Sequence, residues 1–135
     1  NQLAMKAGTV LLKKVSQPKF LQDVSKKGEL IRARLNALKE KVSIIGDIRG
    51  QGLMVGTEFV DPKGQKDLQG SLPACGEIAA KVQKLCFENF LVVEKGGRNG
   101  SVMRCLCALN ISEEDVNKAM DIFEKCVLQV NQEYK

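Results

Sequence analysis

The spacing of apolar residues changes after Val42, and that change limits the folds open to this chain. Before it, Leu3, Ala7, Val10, Leu11 and Val15 recur three or four positions apart, and Phe20, Leu21, Val24, Ile31, Leu35, Leu38 and Val42 keep the same interval. Such stripes are the buried faces of two helices. Pro18 separates them, ending the first and suiting the first turn of the second. Gly28, inside the second stripe, is expected at a point of close packing, and Arg32, Arg34, Lys39 and Glu40 are expected mainly on its solvated side.

After Val42 the segment "IIGDIRGQGLMVGTEFV" mixes β-branched residues with glycines at 46, 50, 52 and 56. It predicts two short strands joined by a tight turn at Gly50 to Gly52. Residues 61–73 read as a polar loop, and Ile78, Ala79, Val82, Leu85 and Cys86 as the stripe of a helix over 74–89. "FLVVE" at 90–94 and "SVMRCLCAL" at 101–109 read as two more strands, joined by the glycine-rich "EKGGRNG", which is expected to be a flexible hairpin connection. Ser112 and Asp115 form a capping box in which serine and carboxylate satisfy free backbone donors. Glu113 and Glu114 suit the positive end of the helix that follows. The order is helix, helix, strand, strand, helix, strand, strand, helix. Partial segregation of the two types predicts an α+β domain, 1–135, with helices covering one face of a small, mainly antiparallel sheet.

Composition removes several functions. There is no histidine, so Ser-His and Cys-His nucleophiles are excluded from these residues. Five cysteines, at 75, 86, 105, 107 and 126, contain no CxxC pair and are odd in number, so reduced, mostly buried thiols are expected and no metal site. The net charge of +5 is spread over helical faces, with one tyrosine and no tryptophan to stack on bases, so nucleic acid is not an expected partner. No apolar run approaches the roughly 20 residues of a membrane span. The chain begins without methionine, which is expected of a cut fragment, a proteolytic product or a processed chain.

Arg104 is the one charge inside "VMRCLCAL". A guanidinium keeps its proton, so partial burial obliges it to find an anion. Three readings are open: an ion pair with an Asp or Glu of this chain, an edge-strand arginine reaching water, or the carboxylate of a small ligand, for which the planar fork is well shaped. Arg49 in "RGQG" reads as a structural arginine at a strand end, and Asp47 with Glu58 has no spacing that demands acid-base chemistry. "EKGGRNG" precedes a strand, not a helix, so it lacks the helix N-terminus of a phosphate loop.

Taken in order, "NQLAMKAGTVLL", "IIGDIRGQGLMVGTEFVDP" and "KVQKLCFENFLVVEKGGRNGSVMRCLCALNISEEDVNKAMDIFEK" resemble the C-terminal part of class III pyridoxal-phosphate-dependent aminotransferases, over essentially the whole chain. The resemblance implies the small C-terminal domain of a fold-type I transferase, with residues 17–135 as that domain and 1–16 as a helix at the junction with a large cofactor-binding domain. It implies a parent enzyme that uses pyridoxal phosphate and is usually a homodimer, and the reduced thiols suit a cytoplasmic protein. The reaction implied moves an amino group from a 2,4-diaminobutyrate-like diamino acid to 2-oxoglutarate. Other ω-amine donors (ornithine, acetylornithine, 4-aminobutyrate) and a standalone binding or dimerisation domain are the alternatives. The family's Schiff-base lysine would lie before Asn1, so these residues alone are expected to be catalytically silent and to bind no cofactor. The family's carboxylate-binding arginine matches Arg104. Where the family usually has two prolines shortly after it, Cys107 and Ala108 stand instead, which leaves that segment freer.

Overall fold

In the computed structural model, which describes residues 1–135, the change of apolar period falls where helix gives way to sheet. Helix α1 spans Gln2–Val15 and α2 spans Pro18–Lys39; strands β1 (Ile45–Gln51) and β2 (Met54–Phe59) follow, then α3 (Gly76–Glu88), β3 (Glu94–Gly96), β4 (Val102–Leu106) and α4 (Glu113–Gln132). The four strands form one sheet in the order β1-β2-β4-β3, with every neighbouring pair antiparallel. The α+β expectation therefore holds, with a sheet that is antiparallel throughout.

Side chains alternate across a strand, so one face of this sheet can be oil and the other wet. Val55, Thr57 and Phe59 of β2 and Met103 of β4 are buried beneath the helices. Val55, Phe59 and Met103 join Ile31, Leu35 and Leu38 of α2, Ile78 and Val82 of α3, and Met120, Phe123 and Val127 of α4 in a single core cluster. The opposite face carries no helix. Asp47, Arg49 and Glu94 are exposed there, and Glu58 and Arg104 are half-buried.

Close approach of α2 to the β1–β2 hairpin depends on two glycines. Gln51 pairs with Met54, so Gly52 and Leu53 are the two loop residues, one position later than the spacing of glycines suggested. Gly52 takes the left-handed φ of 55° that such a loop needs, and its carbonyl lies where a side chain on Gly28 would begin.

Three expectations need correction. The charged side of α2 is only partly solvated. Lys27 is 3 % exposed and donates to the carbonyls of Ile111 (2.7 Å) and Leu109 (3.3 Å), with Asp23 2.6 Å away. Arg34 bridges to α4 through Glu124 (2.7 Å) and Asp121 (2.5 Å), and Lys39 donates to the Gly46 carbonyl at 2.7 Å. Long cationic stems here cover apolar surface and spend their charge on tertiary bonds. The capping box also differs. Ser112 accepts from the Asp115 amide at 3.0 Å, but the Asp115 carboxylate takes the Ser112 hydroxyl at 2.7 Å and not a backbone donor.

The third correction concerns "FLVVE": only Glu94 of it is strand. The Leu91 amide donates to the Cys86 carbonyl (2.8 Å) and the Phe90 amide to Phe87 (3.0 Å), the paired bonds of a Schellman ending. Phe90 occupies its left-handed position at φ 63°, and Gln83 of α3 then donates to the Val93 carbonyl at 3.0 Å. A glycine normally fills that position, and Phe90 is 97 % exposed, so its ring contributes no burial to offset the strain. Phe90→Gly is expected to stabilise the chain by about 1 kcal/mol, seen as a higher urea midpoint at unchanged slope.

Candidate functional site

Arg104 sits at the centre of the bare sheet face because register puts it there. Glu94 is its partner on β3 and Gly56 its partner on β2, and Gly56 in turn faces Arg49 of β1. Cross-strand partners share a face, so the row reads Glu94, Arg104, Gly56, Arg49, with neighbours about 4.8 Å apart along it. Gly56 leaves the floor between the two arginines without a side chain.

The Arg104 Nη2 donates to Glu94 Oε1 at 2.6 Å, and the two side chains are 37 % and 46 % exposed. The guanidinium lies against Gly96, where a Cβ would come within 2.7 Å of Nη2. The Arg104 Nε is buried with no hydrogen-bond partner. The anion demanded by Arg104 is thus a carboxylate of the chain itself, bound at one corner of the fork. Water reaches the pair, so a second carboxylate can exchange with Glu94 at modest cost.

Arg49 is more fully engaged, bonding Asp47 at 2.8 Å and Glu58 at 2.6 Å. Asp47 and Glu58, which had no acid-base spacing, are this arginine's counter-ions. Hydrogen bonding to Arg49 holds the Asp47 carboxyl below its ordinary value of 3.8. The folded state therefore binds that proton less readily than the unfolded chain does. Its contribution is present above the ordinary carboxylate value and is lost as pH falls through the lower folded one. Asp47→Asn is expected to flatten that acid limb of the stability curve by less than about 1 kcal/mol, since the pair is exposed. Urea midpoints at stepped acid pH measure it.

The turn between β3 and β4 leaves Gly97, Arg98 and Asn99 exposed and is tied down at its C-terminal end. Gly97, Asn99 and Gly100 have φ of 74°, 57° and 63°, and a short 3-10 turn spans Arg98–Gly100. The buried Ser101 hydroxyl donates to the Arg98 carbonyl at 2.9 Å, and the Asn99 carbonyl occupies the place of a side chain on Gly76 at the start of α3. This geometry fixes the entry to β4 and hence the height of Arg104.

Beyond Arg104, Cys107 and Ala108 replace the expected prolines, and the segment is held by other means. The two carbonyls that Lys27 binds, those of Leu109 and Ile111, belong to it. Sequence reasoning missed this role, although Lys27 falls within the stripe of Val24, Gly28 and Ile31, a position where a lysine must be satisfied internally. A cavity of about 250 Å³ opens between this segment, residues 91–93 and α4; Glu94 and Arg104 are its only charged lining residues.

All five cysteines are free, as expected. Burial pushes the Cys86 thiol, against Cys126 in the α3–α4 contact, up to about 12, which leaves it inert as a nucleophile. No group of three or more Cys, Asp or Glu side chains is arranged to hold a metal ion. No helix is long and apolar enough to cross a membrane.

Comparison with known proteins adds to this geometry. The family model described as aminotransferase class-III matches residues 1–127. The chain is 39 % identical over 128 residues to a diaminobutyrate–2-oxoglutarate aminotransferase of Haemophilus influenzae, covering 95 % of this chain and 28 % of that protein. It is 38 % identical over 118 residues to the enzyme of the same name from Rhizobium meliloti, covering 87 % of this chain and 25 % of that one. The chain therefore spans about a quarter of the length of these relatives. A solved structure titled as a phospholyase from Arthrobacter in complex with phosphoethanolamine superposes with a TM-score of 0.78 over 90 % of this chain and 28 % of its own, at 19 % identity, a likeness of fold.

Proposed function

The chain belongs to the class-III aminotransferases, and from that premise we propose that it is the small C-terminal domain of a pyridoxal-phosphate-dependent transaminase. In this reading the enzyme moves the terminal amino group of a 2,4-diaminobutyrate-like diamino acid to 2-oxoglutarate. The observation that carries it is the 39 % identity, over 95 % of the chain, to a relative named for that pair of substrates. The bare sheet face supports it, because a half-exposed arginine with a displaceable acid suits a substrate carboxylate.

Residues 17–135 are the small domain, and α1 is the junction with a large domain. Helix α1 buries none of its residues, and Leu3, Met5, Leu11 and Leu12 remain exposed along it. An amphipathic helix with an unburied apolar face requires a partner surface to offset that exposure.

The residues here do not fit pyridoxal phosphate. The cavity beside Arg104 has no lysine to hold an aldehyde and no hydroxyl for a phosphate among its lining side chains. The cofactor belongs, in this reading, to the large domain. This chain contributes Arg104, which orients the substrate carboxylate and so lowers the cost of alignment. Alone it is silent, and the whole enzyme works as a cytoplasmic homodimer.

The intact mass of the protein from its native cell, after borohydride reduction and beside its visible spectrum, tests the reading. A chain several times heavier, yellow before reduction and carrying one pyridoxyl adduct, is the expected result. A colourless, unmodified chain of 135 residues overturns it.

A further inference from the structure

We propose that the cavity between β4, residues 91–93 and α4 is a binding site for a small uncharged apolar molecule of one or two rings. Its volume is about 250 Å³, and twelve of its fourteen lining residues are hydrophobic. Apolar cavities of about 150 Å³ stay dry and admit benzene, so this one has room for a second fused ring.

The walls suit such a guest. Phe123 and Met120 of α4, and Cys105 and Cys107, supply a ring, a thioether and two thiols, all polarizable, and Ile31 of α2 adds an alkyl wall. The only charges in the lining, Glu94 and Arg104, bind each other at 2.6 Å. Apart from that pair, the lining side chains offer a water few of the two to four partners it needs. Burial raises both thiols, Cys105 to about 11, in keeping with a dry wall.

Cys105 alternates with Arg104 along β4 and so turns toward the helices. Arg104 and Glu94 line the same cavity, and the proposal concerns the apolar remainder of its wall, beside the carboxylate role given to Arg104.

The test titrates the 135-residue chain with indole, benzene and benzoate while iodoacetamide labels thiols, each cysteine being read by peptide mass. Cys75, half-buried but outside the cavity, is the internal reference. Saturating indole is expected to slow labelling of Cys107 about fivefold or more, to leave Cys75 unchanged, and to raise the melting midpoint by a few degrees. Benzene should do the same more weakly, and benzoate, which must displace Glu94 from Arg104 to enter, should protect less than indole. Ala119→Leu places a larger side chain in the cavity and should abolish both effects. Equal labelling of Cys107 with and without indole overturns the proposal. So does protection that Cys75 shares, that persists in folded Ala119→Leu, or that benzoate gives equally. If Ala119→Leu does not fold, the Cys107 to Cys75 ratio in the unaltered chain decides.

Discussion

Gly28→Ala is expected to destabilise the chain by about 3 kcal/mol and to lower its melting midpoint by roughly 10 °C. The new methyl group would overlap the carbonyl oxygen of Gly52 and lie 2.9 Å from its Cα. Both are backbone atoms of a hairpin loop, so no rotamer change relieves the overlap. Either α2 lifts off the sheet, opening space above Leu53 and Val55, or the hairpin bends. Helix propensity works the other way, since alanine in a helix interior gains about 1 kcal/mol over glycine. Gly8 of α1 isolates that term, because nothing lies within 4 Å of a Cβ placed there. Gly8→Ala should therefore leave the midpoint unchanged or raise it. Urea melts of the two variants side by side measure the difference, and equal midpoints would show that α2 does not approach the hairpin this closely.

The same pair of glycines shows what was legible in the sequence. Apolar period, Pro18 and Ser112 mark helix boundaries because each acts through local chemistry: a ring that fixes φ, a hydroxyl that caps an amide. The order of the eight elements could be read for that reason, although β3 lies at Glu94–Gly96 and not over 90–94. Gly28 was legible as a point of close packing, since glycine in a helix interior is costly unless something needs the space. What it packs against was not, because Gly52 is its neighbour only after folding. Residues 91–93 misread as strand for a related reason. Their apolar run suits a strand, but the left-handed turn at Phe90 and the bond from Gln83 to the Val93 carbonyl hold the chain away from β4.

At the site, the need of Arg104 for an anion could be read from its apolar neighbours, but the identity of that anion could not. Glu94 is ten residues away, and only the β3–β4 register sets the two opposite each other. Lys27 was hidden by the habit of placing lysines in water. Its burial makes sense only beside the free carbonyls of Leu109 and Ile111, in a segment without the prolines that would otherwise stiffen it.

In the intact transaminase proposed to carry these residues, Arg104→Ala is expected to raise KM for 2-oxoglutarate by on the order of 10²–10³, with the folded state little affected. The size follows from losing two charge-assisted bonds of about 2 kcal/mol each. Glu94, left without its partner, is 46 % exposed and can be hydrated, so the folding cost is small. Arg104→Lys keeps the charge but loses the fork, and should recover only about tenfold of the loss. Glu94→Gln acts in the opposite direction. It removes the internal competitor for the guanidinium and should lower KM severalfold. Steady-state kinetics with 2-oxoglutarate varied at a fixed concentration of diamino acid separate these cases. If KM is unchanged in Arg104→Ala and Glu94→Gln alike, the pair is purely structural. A double-mutant cycle in urea would then return its full coupling energy as stability, and the substrate carboxylate would have to be bound elsewhere.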